Sequence, residues 1–308
     1  MLKVKNMSRF RKKKGLSEVV TSVILTGIML SIALIAMGFA NNMFSIQSES
    51  TEFDQAKNIM TNLAEIIEHV STKQGSSGYV KFNSRTGGPW FQRNVHNIDV
   101  KVKAYMIGAT IPYSESPLFS SSCNQLKYRG GSLASAAGKY LIRGTEVPIL
   151  LNNNASMGSV YVEQKDGAWI VIDYSRINVL NLGTFNFSKG ISATTGLPIF
   201  ELVNMLQITY INITPGTFSG SGNLYVVAKC KNIETTYYRV PSYVSASTTK
   251  PAEEYYIISI SLKYLLESQE SKLNLNMPSY YYNGTHYLPR DTIIMLVKSN
   301  VEISVFGG

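Results

Sequence analysis

The 308-residue chain has only two cysteines, Cys123 and Cys230, three histidines and two tryptophans, and no acidic residue among its first 15. Two cysteines, neither in a CxxC pair, exclude a four-cysteine zinc centre. They leave open one disulfide closing a long loop, or two buried free thiols, because sequence separation says nothing about distance in a fold. His69, His96 and His286 occur in no HExxH or comparable spacing. A GxSxG nucleophile elbow and a GxxxxGKS/T phosphate loop are also lacking. Gly216, Gly220 and Gly222 sit among Thr, Phe and Ser, which reads as a hairpin turn and not a nucleotide loop. No local signature points to catalysis, a metal or a cofactor, so the expectation is a non-enzyme without cofactors. An active site assembled from distant residues would leave no such trace.

The charge is also unevenly spread. Lys3, Lys5, Arg9, Arg11, Lys12, Lys13 and Lys14 account for seven of the 29 basic residues, and the other 22 face 20 acidic ones. The formal charge of +9 is therefore a property of a short leader, and no nucleic-acid partner is expected for the rest. Charge then disappears from residues 19–40, a 22-residue run rich in Ile, Leu, Val and Met. That run is long enough to cross a bilayer at about 1.5 Å per residue. Thr21, Ser22, Thr26, Gly27, Ser31 and Gly38 are interspersed, and small residues allow close helix–helix approach. The basic block predicts a cytoplasmic leader, with everything after the run outside. A secretory signal peptide has the same order of regions, but its apolar stretch is about 7–15 residues and ends in a small-residue cleavage site. Here the run is longer and passes directly into more helix-like sequence.

From Ile46 onward the apolar residues Ile46, Phe53, Ala56, Met60, Leu63, Ile67 and Val70 follow a heptad-like track broken by Glu49. The face between them carries Glu52, Asp54, Glu65 and Glu68 against Lys57. The spacing predicts one helix from Ser17 to about Val70, greasy all round in its first half and amphipathic in its second. Residues 71–78 are a turn or linker. All 19 tyrosines and both tryptophans follow it. β-rich runs then recur at 79–82, 98–106, 140–143, 159–163, 168–174, 206–213, 223–231, 255–262 and 292–305, with Gly, Pro, Asn and Ser between many of them. The last run is continuously apolar over 293–297, breaks at Lys298-Ser299-Asn300, then alternates through Val301, Ile303 and Val305. The segment 241–253, rich in Ser, Thr and Pro, is the best candidate internal boundary. The expected fold is α+β: a long N-terminal hydrophobic helix followed by an all-β sandwich-like domain, with two stacked small sandwiches as the alternative. Its parts are a leader (1–15), a helix (16–72) and an extracytoplasmic β-rich domain (73–308).

The stretch Lys12-Lys13-Lys14-Gly15-Leu16-Ser17-Glu18-Val19-Val20, followed by the apolar run, resembles the class III signal peptide of archaeal type IV pilins. The resemblance covers about residues 9–45. It implies a prepilin peptidase as partner, cleavage between Gly15 and Leu16 behind Lys13 and Lys14, and Glu18 as the third residue of the mature chain. It further implies other pilin subunits as partners, a membrane-held precursor and a mature form in a surface filament. The 238 residues after Val70 look large for a major pilin, which favours a minor or specialised subunit. A permanently anchored surface-binding protein is the alternative, and an anchored extracytoplasmic enzyme a third reading. On an exported surface, the sequons at Asn154, Asn186, Asn212 and Asn283 are candidate glycan acceptors. Asn212 is weakened by Pro215 and its strand-like surroundings, whereas Asn283 lies in a Tyr-Asn-Gly-Thr turn. The aromatic groups Tyr237-Tyr238, Tyr255-Tyr256 and Tyr280-Tyr281-Tyr282 suit either a binding patch or strands and cores.

Overall fold

The computed structural model describes residues 11–83, 85–152, 156–191, 196, 198–220, 222–265 and 270–307. The first element among the described residues is one helix, α1 (Arg11–Ser71), about 90 Å long at 1.5 Å per residue. Its end is marked by hydroxyls that fold back on the last turn: Ser71 Oγ donates to Glu68 O and Thr72 Oγ1 to His69 O, both at 2.7 Å. Gly75 then takes a left-handed conformation, φ 79°, which glycine adopts without a Cβ clash.

Among the described residues fifteen strands follow. In chain order they are β1 (Ser77–Asn83), β2 (Gly88–Met106), β3 (Ser114–Arg129), β4 (Tyr140–Arg143), β5 (Ile149–Leu151), β6 (Ser159–Gln164), β7 (Ala168–Asp173) and β8 (Ile177–Ile191). Then come β9 (Pro198–Phe218), β10 (Asn223–Val240), β11 (Tyr255–Tyr264), β12 (Glu270–Pro278), β13 (Tyr280–Tyr282), β14 (Tyr287–Pro289) and β15 (Thr292–Gly307). One sheet runs β1-β10-β15-β9-β8-β5, a second runs β12-β11-β2-β3-β7-β6-β4, and β13 pairs with β14 alone. All the β-rich runs expected from the sequence are strands. Gly216 lies within β9, and the connection that carries Gly220 and Gly222 is not a hairpin, because β15 lies between β9 and β10. The chain must arc over the end of β15, and a Cβ at Gly220 would lie 2.0 Å from Gly307 N.

The two sheets enclose two cores. In the first, the second half of α1 is clasped between β1, β10 and β15 on one side and β4, β6 and β7 on the other. Met60, Leu63 and Ile67 are fully buried there, each contributing about 1.5–3 kcal/mol of burial. In the second core the sheets meet directly, through Ile98, Val100 and Val102 of β2, Ile258 and Ile260 of β11, and Leu206 and Ile208 of β9.

Long strands serve both cores, and they change faces on the way. In β9, Leu206, Ile208 and Tyr210 enter the sheet–sheet core, and Ile211 and Ile213 enter the helix core. In β15 the change is from Ile294 and Leu296 to Val301, Ile303 and Val305. Successive strand residues point to opposite faces, so an even-to-odd change means that the sheet buries one face above and the other below. In β10 even-numbered residues are buried on both sides of the exchange, Val226 and Ala228 in the helix core and Val240 in the sheet–sheet core, because a bulge resets the alternation: Cys230 pairs with Val301 and Asn232 with Asn300, leaving Lys231 as the extra residue. The crossover level is polar. Asn212 Nδ2 donates to Asn300 Oδ1 at 2.9 Å, and Asn300 Nδ2 to Glu234 Oε1 at 3.1 Å. Ser299 Oγ donates to Ser71 O at the end of α1 at 2.7 Å. The break at Lys298-Ser299-Asn300 in the last apolar run is this crossover. The segment 241–253 links β10 of one sheet to β11 of the other, held by Ser242 N on Asp291 Oδ1 (2.8 Å) and Ser242 Oγ on Ser279 O (2.7 Å). Strands from both sides of it build both cores.

Candidate functional site: the uncovered half of the helix

The apolar part of α1 is long and apolar enough to cross a membrane, and none of it is buried in the chain. Two of its hydroxyls bond within the helix: Thr26 Oγ1 donates to Ser22 O at 2.8 Å and Ser31 Oγ to Gly27 O at 2.9 Å. A helix whose polar groups bond to its own backbone can enter lipid or a packed bundle without stranding a donor. Nothing lies within 4 Å of a Cβ placed at Gly27 or Gly38, so the small residues have no function inside the single chain. Ile46, at the head of the expected heptad track, is 50% exposed and belongs to this uncovered half, and burial begins at Phe53.

Carboxylates make the transition. Glu49 Oε2 accepts from Leu133 N at 2.6 Å. Glu52 Oε1 accepts from the backbone N–H of Arg85, Thr86 and Gly87 at 3.2, 3.3 and 3.2 Å, and from Tyr128 Oη at 3.1 Å. Near the far end, Glu68 accepts from Gly158 N at 2.8 Å and pairs with Arg143 at 3.4 Å. The acidic face is thus largely a docking face. Glu49, which breaks the heptad track in sequence, is the first residue to bind the domain.

The helix backbone already runs through Lys13, Lys14, Gly15, Leu16 and Glu18. Asn154 lies outside the described residues. Asn186 is exposed on β8, opposite Leu202. Asn212 is half-buried in β9 with its amide nitrogen engaged by Asn300. Asn283 is exposed, and its Oδ1 accepts from Thr285 N, Thr285 Oγ1 and His286 N at 3.1, 3.0 and 2.8 Å.

Cys123 and Cys230 are free, buried thiols on different sheets. Cys123 Sγ lies 3.4 Å from Tyr210 Oη in the sheet–sheet core, and burial pushes its pKa up to about 12. Cys230 exchanges backbone hydrogen bonds with Gly75 and Ser76 where the chain leaves the helix. The tyrosine groups divide as strand alternation dictates: Tyr256 is buried and Tyr255 exposed, while Tyr237 and Tyr282 are exposed.

His96 approaches a carboxylate, with Nε2 4.0 Å from Asp173 Oδ2, in a cavity of about 240 Å³ also lined by Tyr161, Arg176 and Tyr264. Asp173 is occupied by structural donors: Gln125 Nε2 at 2.9 Å and Ser175 N at 2.8 Å. Glu146, the second carboxylate at this cavity, pairs with Lys139 at 3.4 Å. Compared with known proteins, the chain matches no family model, no curated protein and no solved structure, so its function must be read from its own residues.

Proposed function

We propose that the chain is a type IV pilin-like structural subunit of a surface filament, made as a membrane-held precursor whose leader is removed between Gly15 and Leu16. One observation carries the reading: a single continuous helix is clasped by its domain in one half and left wholly uncovered in the other. The uncovered half is apolar on every side, so it must be covered by lipid or by like helices. A basic block, a glycine and an acidic residue stand at its head, where a peptidase can separate the two states. Glycine is the poorest helix former after proline, so Gly15 also weakens the helix at the bond to be cut. The domain then forms the outward surface of the filament, for adhesion or assembly, and has no catalytic role.

Packing against neighbours tests this. In lipid, Gly27 and Ser31 tolerate enlargement. In a helix bundle each added side chain must be accommodated at every subunit, and overpacking typically costs about 1–3 kcal/mol. We expect Gly27→Leu or Ser31→Leu to preserve membrane insertion and the folded domain while removing the protein from the sheared extracellular fraction. Wild-type protein that never leaves the membrane, and keeps Met1 as its N-terminus, would leave the anchored surface protein as the correct reading.

A further inference from the structure

The outer face of the seven-stranded sheet, near the Glu49 and Glu52 junction, opens a cleft of about 840 Å³ that is lined by both tryptophans of the chain. We propose that this cleft binds a saccharide. The inference concerns the domain alone and does not depend on the filament reading.

Strand register sets the geometry. Gly88 on β2 pairs with Arg129 on β3, and Arg129 with Trp169 on β7. Cross-strand partners share a face. Two residues further along, Trp90 pairs with Lys127 on that same face, while Tyr128 and Ile170 between them enter the helix core. The tryptophans are thus two strands apart, about 10 Å across the sheet at about 4.8 Å per strand. Trp90 is 61% exposed, although a large apolar ring gains most from burial. Trp169 is fixed: its Nε1–H donates to Lys165 O at 2.8 Å, and the Arg129 guanidinium lies 5.5 Å from its ring centroid.

Around the rings stand polar groups with unused capacity. Gln164 Oε1 accepts from Ala136 N at 2.8 Å, which leaves its amide nitrogen to donate. Among the described residues the Asp166 carboxylate has no partner within the chain. Asp166 is held in a left-handed turn, φ 52°, followed by Gly167. The floor is glycine because the helix dock leaves no room for a side chain: a Cβ on Gly131 would lie 2.3 Å from Glu49 Oε2, and one on Gly130 2.8 Å from Phe53.

A pyranose ring matches this set. Its C–H face stacks on an indole, and its hydroxyl rim pairs with planar groups that between them donate and accept: Arg129 donates, Asp166 accepts and Gln164 does both. A purely apolar ligand would leave those groups desolvated and unpaired. An isolated anion would meet Asp166 beside Arg129. The volume falls within the range of about 300–1,000 Å³ for small-molecule sites.

The test uses the full chain in a zwitterionic, sugar-free detergent, since glycoside detergents would compete. The probes are immobilised oligosaccharides of N-acetylglucosamine, mannose, galactose and glucuronate, followed by titration of indole fluorescence with those retained. We expect saturable binding to at least one. We expect Trp90→Ala to weaken it about tenfold or more, equivalent to about 1.4 kcal/mol, with an unchanged circular dichroism melt. Trp90→Phe should restore part of the loss, and Asp166→Asn, which tolerates the same turn, should weaken binding with the rings intact. Absence of binding to every saccharide at millimolar concentration overturns the proposal. So does binding that Trp90→Ala leaves unchanged, which would place the ligand elsewhere.

Discussion

Replacing Glu52 by alanine should loosen the domain from its helix while leaving both sheets formed. The carboxylate accepts three backbone N–H groups and the Tyr128 hydroxyl on one oxygen, and Thr86 Oγ1 at 3.3 Å on the other. Its contacts span 3.1–3.3 Å, long for charge-assisted bonds, so each belongs at the weak end of the usual scale of about 0.5–1.5 kcal/mol. Arg85 and Thr86 are exposed, and their amides regain water in the mutant. Tyr128 is buried, and its hydroxyl loses this acceptor at about 1–3 kcal/mol. The sum is about 2–4 kcal/mol for Glu52→Ala. Glu52→Gln, which keeps one acceptor oxygen, should cost about half as much. Denaturant unfolding of the full chain gives the total, and hydrogen exchange at residues 85–87 shows where it is lost. A double cycle with Tyr128→Phe isolates the shared bond. A change below about 0.5 kcal/mol with unaltered exchange at 85–87 would refute the claim that this carboxylate docks the domain.

Three further outcomes are expected. Gly15→Val should leave the precursor uncut, seen as unchanged gel mobility on co-expression with a prepilin peptidase; a shift equal to that of wild type would exclude Gly15 as the cleavage determinant. Deleting Lys231 should remove the bulge and leave residues 232–240 on their present partners and faces, because the extra residue has no partner on β15, so the chain should stay folded and protease-resistant. Lys231→Ala, which loses only an exposed pair with Glu302 at 3.0 Å, should cost less than about 1 kcal/mol; a protease-sensitive deletion variant would disprove the bulge argument. Alkaline pH should also destabilise the domain. Burial raises Cys123, Tyr256 and Tyr264 to about 12, so the folded state holds these protons more tightly than the unfolded chain. Their stabilisation is complete below about pH 9 and declines as pH rises towards 12; a denaturation midpoint constant from pH 8 to 11 would contradict this.

The helix was legible because its signals are local: an uncharged run, then apolar residues at helical spacing. Strands with β-branched or aromatic alternation, such as 98–106, were equally readable. β3 and β8 were not. The sequence Ser-Glu-Ser-Pro-Leu-Phe-Ser-Ser-Ser has turn composition, and it is a strand because β2 pairs along it, with β7 adding a second ladder at 125–129. β8 is rich in Asn, Gly and Ser and is likewise held by pairing with β9. Glu52 read only as one member of an acidic face, because its partners lie more than 30 residues away in sequence. The tryptophan cleft left no local trace either. Trp90 and Trp169 are 79 positions apart, and only β3 between their strands brings them to one surface.

The clasp around α1 also determines how the molecule bears tension. After Gly75 the chain reverses, and β1 descends beside the helix it has just left: Gly78 lies against Ile66, and Phe82 and Asn83 reach the level of Ala56. β1 is bonded to β10 along its whole length, from Ser77 opposite Lys229 to Asn83 opposite Asn223. A pull on the free end of the helix therefore runs along these strands, and the ladder is loaded in shear, with all its bonds strained together. Sliding the helix out would drag Met60, Leu63 and Ile67 past both sheets in one event, whereas a sideways force could part the same contacts one after another. The domain thus grips hardest in the direction in which its own stalk would be drawn.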